Sequence, residues 1–525
     1  MGVDFPAESP YGYVRKALEE GLLEIPERFD AIWIGGGAAG RFGAVFHKQL
    51  GCKPLLIERN YLGGECPVCR CAFENFIFDV ASMLELLRMY SGKGPFPDFK
   101  LPDKLSMAKA CEVYRNVGRK AFTEIMEFQT VIQLRTPVVF GEVIDVRKRG
   151  GYFEADVKCM DGKTRTFEGR NVVIAMGSRP AKLGVPGEDL EGVMTYKDHP
   201  ELTRDPEHLV VVGGGRIGVA KAMMFRAFGV DVTIVEALDT ILGEFDRDLI
   251  NFALSHLKRR GVKIYTKAKV KEIVGTKRVE GVKIEHEGKV VEIPCDAVLV
   301  ATGLVPNSEL AVKWLGVKTG PRNEIVVDER MRTSVEGVYA VGDVVGPPYF
   351  MAIARKRGMV AAKNMAGIEA KIDYSYVPLH VYVPPYELCQ VGPSEEELKA
   401  KYGRLVKIQV PVGPTKEIEP CTWVPGIPGQ ALPVCDRMMT INNIYYGRGW
   451  HGFLKCLIDP STRRYVGFYH AGHGAKVSFQ YLSYFLKIGW TVDQMAELNE
   501  IFLNAEHFIQ LTRLLAGAKD LRDLA

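Results

Sequence analysis

One glycine pattern occurs twice in this chain, and each copy stands between an apolar run and a second apolar run that ends in glutamate. The glycines are Gly35, Gly37 and Gly40 in the first copy and Gly213, Gly215 and Gly218 in the second, and the glutamates are Glu58 and Glu236. Glycines at this spacing permit a tight strand-to-helix turn and a close approach of the backbone to a pyrophosphate, and the acid suits the hydroxyl groups of a ribose. The repeat predicts an α/β fold with two Rossmann-like dinucleotide-binding domains, one for a resident nucleotide and one for an exchanging nucleotide.

Later strand-to-turn signals extend this architecture. Apolar runs lead into Gly177, into Gly303 and into the pair Gly342-Asp343. Beyond residue 372 the glycine patterns stop, and alternating strands are followed by amphipathic helices. These strands are 405–410, 453–458 and 465–469. We expect the tail to form a separate α+β domain, and the first 28 residues to form a polar arm with a short helix.

The composition is typical of a large globular enzyme. With 525 residues, 47% of them hydrophobic, the chain is long enough for about three or four domains. Lys and Arg number 68 and Asp and Glu 64, so a net charge of +4 gives no reason to expect nucleic acid or a membrane as partner. The 11 cysteines, without a secretion signal or an apolar run of membrane-spanning length, predict reduced thiols in a cytoplasmic protein.

Two cysteines follow the first glycine copy. Cys66 and Cys71 lie five residues apart, where a thiol pair can exchange electrons with a redox ring held by the glycine turn. A helix that begins near them would favour the thiolate form, because a helix N-terminus carries partial positive charge. Cys69 lies between them, and the C-x-x-C-x-C pattern also allows a zinc or iron–sulfur site, which would need a fourth ligand. The sequence favours a flavoprotein that works through the pair, with Cys69 a bystander or a competing thiol.

Together these motifs resemble the two-domain pyridine nucleotide–disulfide oxidoreductase family, over nearly the whole chain from Asp30. The resemblance implies FAD and NAD(P)H as cofactors, no metal, and a homodimer. It divides the chain into an N-terminal arm (1–28), an FAD domain in two parts (29–192 and 298–372), an inserted NAD(P)H domain (193–297) and a C-terminal dimer-interface domain (373–525). It also implies that Cys66 attacks substrate, that Cys71 faces the flavin, and that Asp343 is a second acid in contact with the flavin.

The segment 501–510 departs from ordinary members of the family. Those members have a histidine that protonates the departing thiolate and a glutamate five residues later, whereas this chain has Phe502 and His507 at the two places. The exchange resembles the carboxylating branch of the family, the 2-oxopropyl-coenzyme M reductases. It implies that Cys66 attacks a thioether sulfur and expels an enolate, that Phe502 keeps a proton donor away, and that His507 orients a water or the enolate oxygen.

Four further residues match the substrate pocket of that branch. Arg41 and Arg355 fall where it grips the sulfonate of coenzyme M, and guanidinium groups suit such an oxyanion. Met351 and Gln510 also align with its pocket. The expected substrate is therefore a small thioether or thiol with an anionic, sulfonate-like group. The alternatives are that either arginine pairs with a flavin phosphate or a carboxylate, and that Phe502 is plain interface packing.

Several positions differ from the expected pattern. Val68 and Thr123 occupy the places of two histidines in the proposed carbon dioxide site of the branch, which leaves both carboxylation and protonation of the enolate open. Glu236 suits a free ribose hydroxyl and repels a 2′-phosphate, which predicts NADH rather than NADPH. Asn75 and Ala220 stand where ordinary members have a lysine–glutamate pair. Both partners are gone together, which avoids a lone buried charge, and we expect flavin reduction to be tuned differently.

Other functions compete with thioether cleavage. A reductase of a small disulfide or of a metal ion would use the same cysteines, and a metal-binding redox sensor would use Cys66, Cys69 and Cys71. His470 and His473 have H-x-x-H spacing, but no acid or cysteine at ligand spacing accompanies them. Two further cysteines, which flank a Pro- and Gly-rich insertion expected to be a lid or an interface loop, are expected to be buried free thiols; they are Cys421 and Cys435.

Overall fold

This computed structural model describes residues 28–92, 97–411, 452–472, 474–499 and 512–525. Several predicted features lie outside the described residues; they are the N-terminal arm with its helix, the insertion between Cys421 and Cys435, and the residues His473, Phe502, His507 and Gln510. The predictions for these residues stay predictions. The described part contains both glycine turns, the cysteine pair and the two candidate arginines.

The first glycine copy lies between two strands near the start of the described chain. The elements are β1 (Arg28–Ile34), α1 (Ala38–Gln49), β2 (Pro54–Glu58), α2 (Glu65–Val68), α3 (Cys71–Tyr90), α4 (Met107–Val113), α5 (Lys120–Phe128), β3 (Val138–Arg149), β4 (Tyr152–Cys159), β5 (Thr164–Ile174) and β6 (Ser178–Pro180). One π-helical turn follows α4 (Tyr114–Arg119) and another follows α5 (Gln129–Gln133). Every residue of β2 is buried, as expected for a parallel strand covered on both faces.

The second glycine copy lies within another run of strands and helices. The elements are β7 (Val193–Met194), β8 (His208–Val212), α6 (Arg216–Ala227), β9 (Asp231–Val235), α7 (Arg247–Arg259), β10 (Lys263–Tyr265), β11 (Ala268–Val274), β12 (Gly281–His286), β13 (Lys289–Pro294), β14 (Ala297–Val300), β15 (Leu304–Pro306) and α8 (Glu309–Leu315). A short 3₁₀ turn covers His199–Glu201. Helix α7 begins at a capping residue, because Asp246 accepts the N–H of Asp248 at 3.1 Å.

The last third of the chain returns to the first sheet and then forms a sheet of its own. The elements are β16 (Val338–Ala340), α9 (Met351–Met365), β17 (Leu379–Val383), β18 (Tyr386–Val391), α10 (Glu395–Tyr402), β19 (Val406–Pro411), β20 (Phe453–Asp459), β21 (Arg464–Gly472), α11 (Ala475–Lys487) and α12 (Val492–Ala496). A capping box starts α10, in which Ser394 and Glu397 each bond the other's backbone N–H.

Two sheets with parallel strands carry the glycine turns. In the first, β1 lies between β2 and β5, β16 pairs with β5, and β3, β4 and β5 form an antiparallel meander. The second has the order β10-β9-β8-β14-β7, with all neighbours parallel. The central strands β1 and β8 each end at a glycine turn, at the carboxyl edge where such sheets bind ligands.

The C-terminal sheet is antiparallel, in the order β17-β18-β21-β20-β19. Its last three strands correspond to the segments predicted from alternation at 405–410, 453–458 and 465–469. The predicted α/β fold with two Rossmann-like units and a C-terminal α+β unit is therefore confirmed. Of the helices in the described ranges, none combines the length and the apolar character needed to cross a membrane.

Helix α3 is the place where the three units meet. One apolar core contains Ile77 of α3, Met223 of α6 and Val381 of β17. The ring of Tyr382 in β17 stacks on Phe78 of α3 with 4.2 Å between the ring centres. Helix α3 begins at Cys71, which is called the inner cysteine here. This helix thus packs against both the second nucleotide-binding unit and the C-terminal sheet.

Candidate active site

The first glycine turn, between β1 and α1, has a shape that requires glycine at two positions. Gly35 has a φ of +106°, and a Cβ there would lie 2.4 Å from the carbonyl oxygen of Ala175. A Cβ on Gly40 would lie 1.9 Å from the carbonyl oxygen of Gly35. A Cβ on Gly37 would meet nothing within 4 Å, so the backbone at the N-terminus of α1 borders open space. A pyrophosphate would meet the helix N-terminus in that space.

Glu58, at the end of β2, closes this turn. One of its carboxylate oxygens accepts the N–H of Gly36 at 2.5 Å, and the other accepts the N–H of Asn60 at 2.6 Å. The carboxyl group is buried, and burial raises its pKa although the two N–H bonds act in the opposite direction. Glu58 therefore holds the turn in shape, and its contact with a ribose stays a prediction.

The second turn, between β8 and α6, repeats this geometry. Gly213 has a φ of +111°, and a Cβ on Gly218 would lie 1.8 Å from the carbonyl oxygen of Gly213. Glu236 accepts the N–H of Gly214 at 2.5 Å and the N–H of Leu238 at 2.7 Å. The two copies of the pattern therefore build the same turn from the same contacts.

Three more of the predicted glycines border open space. A Cβ would meet nothing within 4 Å on Gly215, on Gly177 or on Gly303. Gly177 and Gly303 also have positive φ angles, of +68° and +128°, which side chains rarely adopt. Backbone at these positions is therefore open to close approach by a ligand, as a dinucleotide site requires.

Cys66 and Cys71 come from different helices. Cys66 lies in the short α2, and Cys71 is the first residue of α3. A hydrogen bond between the two thiols lowers the pKa of Cys66, and the charges of Arg355 and Arg70 lower it further, against the effect of burial. The same hydrogen bond raises the pKa of Cys71 well above its ordinary value, and burial and Glu74 act in the same direction. The arrangement favours Cys66 as the thiolate and Cys71 as the protonated thiol of the pair.

The helix start predicted beside the thiols is present. Cys71 occupies that helix start, yet it is Cys66 whose pKa is lowered. Cys69 takes no part in the pair, since it is buried and burial raises its pKa to about 12. Within the described ranges, no group of three or more His, Cys, Asp and Glu side chains is arranged to hold a metal ion.

The thiol of Cys66, which is called the outer thiol here, faces helix α9. The Sγ of Cys66 lies 3.5 Å from the Sδ of Met351, which is the first residue of α9. Arg355 is one helical turn further along α9, and Arg41 lies in α1. Burial and then the charge of Arg355 lower the pKa of Arg41 to about 10. The structure thus brings together four of the predicted site residues, while Gln510 lies outside the described part.

Glycines allow the two arginine-bearing helices to approach. A Cβ on Gly358 of α9 would lie 2.5 Å from the carbonyl oxygen of Ala39 and 3.2 Å from the Cα of Gly43, both in α1. The backbones can therefore come this close only because no side chain stands at the crossing. Arg41 lies between Ala39 and Gly43 on α1, and Arg355 lies three residues before Gly358 on α9, so that the charge of Arg355 acts on Arg41.

The described residues provide no carboxylate partner for either arginine. Arg41 donates its Nε to the hydroxyl of Thr130 at 2.7 Å and its Nη2 to the side-chain oxygen of Gln129 at 3.1 Å. The guanidinium of Arg355 lies 5.6 Å from the ring centre of Phe42. Two neighbouring cations with neutral surroundings form a site that an anion would stabilise.

The segment 65–71, which carries the redox cysteines, is called the thiol segment here. A second charged cluster surrounds it, and we did not predict this cluster from the sequence. Arg70 donates to Asp343 at 2.9 Å and lies 3.7 Å from Glu65. Glu65 also accepts the hydroxyl of Tyr196 at 2.9 Å and pairs with Lys197. Asp343, which is predicted to contact the flavin, therefore has a cation of the thiol segment as its neighbour. The signal in the sequence was the pair of opposite charges on either side of the outer cysteine.

The charged pair that ordinary members have at the places of Asn75 and Ala220 is absent there, but a charged pair joins α3 and α6 at neighbouring positions. Lys221 of α6 pairs with Glu74 of α3 at 3.0 Å, and the lysine side chain is 0% exposed. The prediction considered Asn75 and Ala220, each one residue away from the actual pair. Asn75 instead accepts the hydroxyl of Tyr382 at 2.5 Å. Ordinary members have the lysine on the thiol helix and the glutamate on the helix of the second glycine turn. In this chain the glutamate is on α3 and the lysine on α6, each one residue away.

The remaining candidates offer no further ionisable group. Thr123 is buried, and its hydroxyl donates to the carbonyl oxygen of Arg119 at 2.9 Å. Val68 is the last residue of α2. His470 lies in β21, and burial lowers its pKa to about 4, so its ring is neutral at physiological pH.

Comparison with known proteins agrees with the fold and with the two turns. The family model for pyridine nucleotide-disulphide oxidoreductases matches residues 29–366. The chain belongs to this family. It is thus an enzyme of the NAD(P)H-dependent flavoprotein disulfide oxidoreductase class, with FAD and NAD(P)H as cofactors. The glycine turns fit these dinucleotides, because each leaves open space in front of a helix N-terminus.

Similar curated proteins are dihydrolipoyl dehydrogenases. The one from Rhizobium etli is 31% identical over 400 residues, which cover 73% of this chain and 81% of the relative. The one from Bacillus subtilis is 28% identical over 483 residues, which cover 90% of this chain and 93% of the relative. Family members are typically homodimers that act on small molecules.

Similar solved structures agree on the fold. LpdA from Mycobacterium tuberculosis has a TM-score of 0.77 at 23% identity, with 92% of this chain and 99% of its own covered. The Cu(II) complex of the HOCl-induced flavoprotein disulfide reductase RclA from Escherichia coli has a TM-score of 0.74 at 22% identity, with 93% and 100% covered. Both are disulfide-reductase structures with the sheets and helices described above.

Proposed function

We propose that this flavoprotein cleaves a ketone-bearing thioether with a sulfonate-like head group, as 2-oxopropyl-coenzyme M reductase (carboxylating) does. The observation that carries the proposal is the position of Arg355 near Cys66 and of Arg41 near Arg355, with no carboxylate partner for either arginine among the described residues. A sulfonate needs such surroundings, because its charge is spread over several oxygens that guanidinium groups bind through multiple hydrogen bonds. A neutral disulfide would gain nothing from them.

Cys66 performs the first step. Its thiolate forms a bond to the thioether sulfur, the sulfur–carbon bond breaks, and the carbon fragment leaves with the electron pair as an enolate. Cys66 then carries a mixed disulfide with the head-group thiol. Cys71 loses its proton and attacks the sulfur of Cys66, which closes the Cys66–Cys71 disulfide and releases the head group as a thiolate. Bound FAD, reduced by NAD(P)H, supplies the two electrons that return this disulfide to the dithiol.

The surroundings of the thiols support this order. The lowered pKa of Cys66 provides a thiolate without a separate base. The raised pKa of Cys71 keeps this thiol protonated until the mixed disulfide has formed. Met351 borders the outer sulfur at 3.5 Å, and a thioether has no proton to give to an enolate.

The fate of the enolate depends on residues that lie outside the described part. We assign to Phe502 the exclusion of a proton donor, to His507 the orientation of a water or the enolate oxygen, and to Gln510 a place in the pocket. Val68 and Thr123 supply no ionisable group toward carbon dioxide. Capture by carbon dioxide and protonation are therefore the two outcomes that the experiment distinguishes.

The cofactor sites and the domain division complete the proposal. Gly35, Gly37, Gly40 and Glu58, together with Gly177, Gly303 and Asp343, would hold FAD, and Gly213, Gly215, Gly218 and Glu236 would hold NADH. The segments 29–192 and 298–372 would form the FAD domain around the inserted 193–297. The segment 373–525 would form the interface of a homodimer.

The test combines reduced holoenzyme, 2-oxopropyl-coenzyme M and labelled bicarbonate. We expect release of coenzyme M, together with labelled acetoacetate if carbon dioxide captures the enolate or acetone if a proton does. A matched thioether that has the same ketone and a hydroxyl in place of the sulfonate should show a kcat/KM lower by about 10–100-fold, since it loses charge-assisted hydrogen bonds. Reduction of a small disulfide without either carbon product would replace the proposal by the simpler reductase.

A further inference from the structure

A buried ion pair connects the helix of the inner thiol to the helix of the second glycine turn. Lys221 belongs to α6, and its side chain is fully buried. Its Nζ lies 3.0 Å from a carboxylate oxygen of Glu74 and 4.9 Å from the ring centre of Phe73. A buried ammonium group is costly unless an acid neutralises it, and Glu74 is that acid here.

Glu74 also acts on the inner thiol. It lies three residues after Cys71 in α3, and residues three apart are neighbours on one face of a helix. Its negative charge contributes to the raised pKa of Cys71. Without a cation beside it, the carboxylate of Glu74 would oppose the thiolate on either sulfur of the pair more strongly.

Among the described residues, the charged and titratable groups near the thiol of Cys71 come from several elements packed around it. They are Cys66 and Arg70 of the thiol segment, Glu74 of α3, Tyr114 of the turn after α4, and Tyr382 of β17, with Lys221 of α6 and Lys476 of α11 behind them. Arg70 is engaged by Asp343, and Lys476 by Glu387. Among the described residues, Lys221 is the cation that pairs with Glu74.

The charge of Lys221 reaches the thiol segment itself. It opposes the effect of burial on the pKa of Cys69, which lies between the two redox cysteines. It also lowers the pKa of His199, although burial has the larger effect there, and the ring of that residue lies 4.9 Å from the ring of Phe73. The ammonium group is therefore close enough to the segment between the two redox cysteines to influence the ionisation of Cys69.

We propose that Lys221 is a positioning residue for the redox thiols: it holds and neutralises Glu74, so that the Cys66–Cys71 pair can carry a thiolate. Lys221 stands in the helix that begins at the second glycine turn, so the ion pair also fixes the thiol helix against the nucleotide-binding unit. The inference concerns the dithiol and does not depend on which substrate the thiolate attacks.

The test follows the ionisation of the dithiol directly. Reduced holoenzyme is treated with iodoacetamide over a series of pH values, and the alkylated cysteine is identified by mass spectrometry. In Lys221→Met, Glu74 loses its partner, so we expect alkylation at pH 7 to slow about tenfold and the profile to move to higher pH by about one unit. Glu74→Gln removes the opposing charge and should not slow alkylation. The double variant should return to within about threefold of the wild-type rate.

A matched control separates this effect from general destabilisation. Lys455 is likewise buried and pairs with Asp246 at 2.5 Å, far along the chain from the thiols, so Lys455→Met should leave the alkylation profile unchanged. A wild-type profile in Lys221→Met, or a double variant as slow as Lys221→Met, would overturn the proposal. If Lys221→Met does not fold, slower alkylation in Glu74→Gln overturns it instead. Absence of the thioether reaction changes none of these outcomes.

Discussion

The two glycine turns have the same backbone geometry, but the helices that follow them place charged side chains in different parts of the molecule. In both turns a glutamate accepts the N–H of the middle glycine at 2.5 Å. Helix α1, after the first turn, carries Arg41 toward Arg355, whereas helix α6, after the second, carries Lys221 toward Glu74. The glycine pattern thus determines the shape of the turn, while charged side chains on the helix after the turn determine the local electrostatics.

The turns also differ in their exposure. Glu58 is 7% exposed, whereas Glu236 is only partly buried. At the second turn, Arg216 donates to Glu244 at 2.6 Å and lies 4.2 Å from the ring centre of Phe350. A closed first turn suits a nucleotide that stays bound, and a more open second turn suits one that enters and leaves at each cycle.

Alanine at the third glycine of each turn should give the largest effects. In Gly40→Ala the new Cβ would clash with a backbone carbonyl oxygen, so we expect flavin binding to weaken at least about 100-fold. In Gly218→Ala the same clash falls in the second turn, so flavin content should stay normal while reduction by NADH slows by a similar factor. Flavin absorbance and stopped-flow reduction measure the two. Equal loss of flavin in both variants would contradict the division into resident and exchanging sites.

Substitution of the arginines near the first turn comes next in size. Arg41→Gln and Arg355→Gln should each lower kcat/KM for 2-oxopropyl-coenzyme M by about 10–100-fold, because a charge-assisted contact to the sulfonate is lost. The neutral analogue should be nearly insensitive to Arg41→Gln and should lose less than about tenfold in Arg355→Gln, where only the ionisation of Cys66 changes. Arg216→Gln at the second turn should leave the thioether kinetics unchanged. Equal losses for the charged and the neutral substrate would argue against an anion site.

The glutamate of the second turn allows a third test. We expect the wild-type protein to have a higher kcat/KM for NADH than for NADPH, because Glu236 repels a 2′-phosphate. Glu236→Ala should lower this preference about tenfold. Steady-state rates with both nucleotides check the prediction, and a wild-type preference for NADPH would show that the role given to Glu236 is wrong.

The smallest expected effect is on the ionisation of Cys66. Its pKa is lowered by the bond to the other thiol and, to a lesser extent, by Arg355, so its thiolate is lost only as the pH falls through this lowered pKa. In Arg355→Gln one cation is gone, the pKa rises, and the alkylation profile should move to higher pH by less than about one unit. Arg216→Gln should not move it, and a shift to lower pH in Arg355→Gln would reverse the sign of the proposed interaction.

Much of the fold could be predicted because local patterns specify it. The two apolar runs around the second glycine copy form strands at 208–212 and 231–235, since each is a short apolar run next to a glycine turn or an acid. The cysteine pair was located by its distance from the first glycine turn, and the candidate arginines by their resemblance to the substrate pocket of the carboxylating branch. These predictions needed no knowledge of how remote segments face each other.

The charged contacts of the site could not be predicted in the same way. The pair of Lys221 and Glu74 depends on how two helices far apart in the chain are rotated against each other, and a lysine in a helix is ordinarily expected at the surface. The contact of Gly358 with Ala39 has the same origin, because nothing near either residue in the sequence marks a helix crossing. Burial and orientation had to be observed.

The stacking of Tyr382 on Phe78, together with its bond to Asn75, has a consequence for protein engineering. A chimera that receives the C-terminal sheet of another reductase would lose these contacts unless positions 75 and 78 were exchanged with it. The graft would then leave the first turns of α3 without their outer support. Donor and acceptor segments for such chimeras should therefore be chosen as a matched set of sheet and helix.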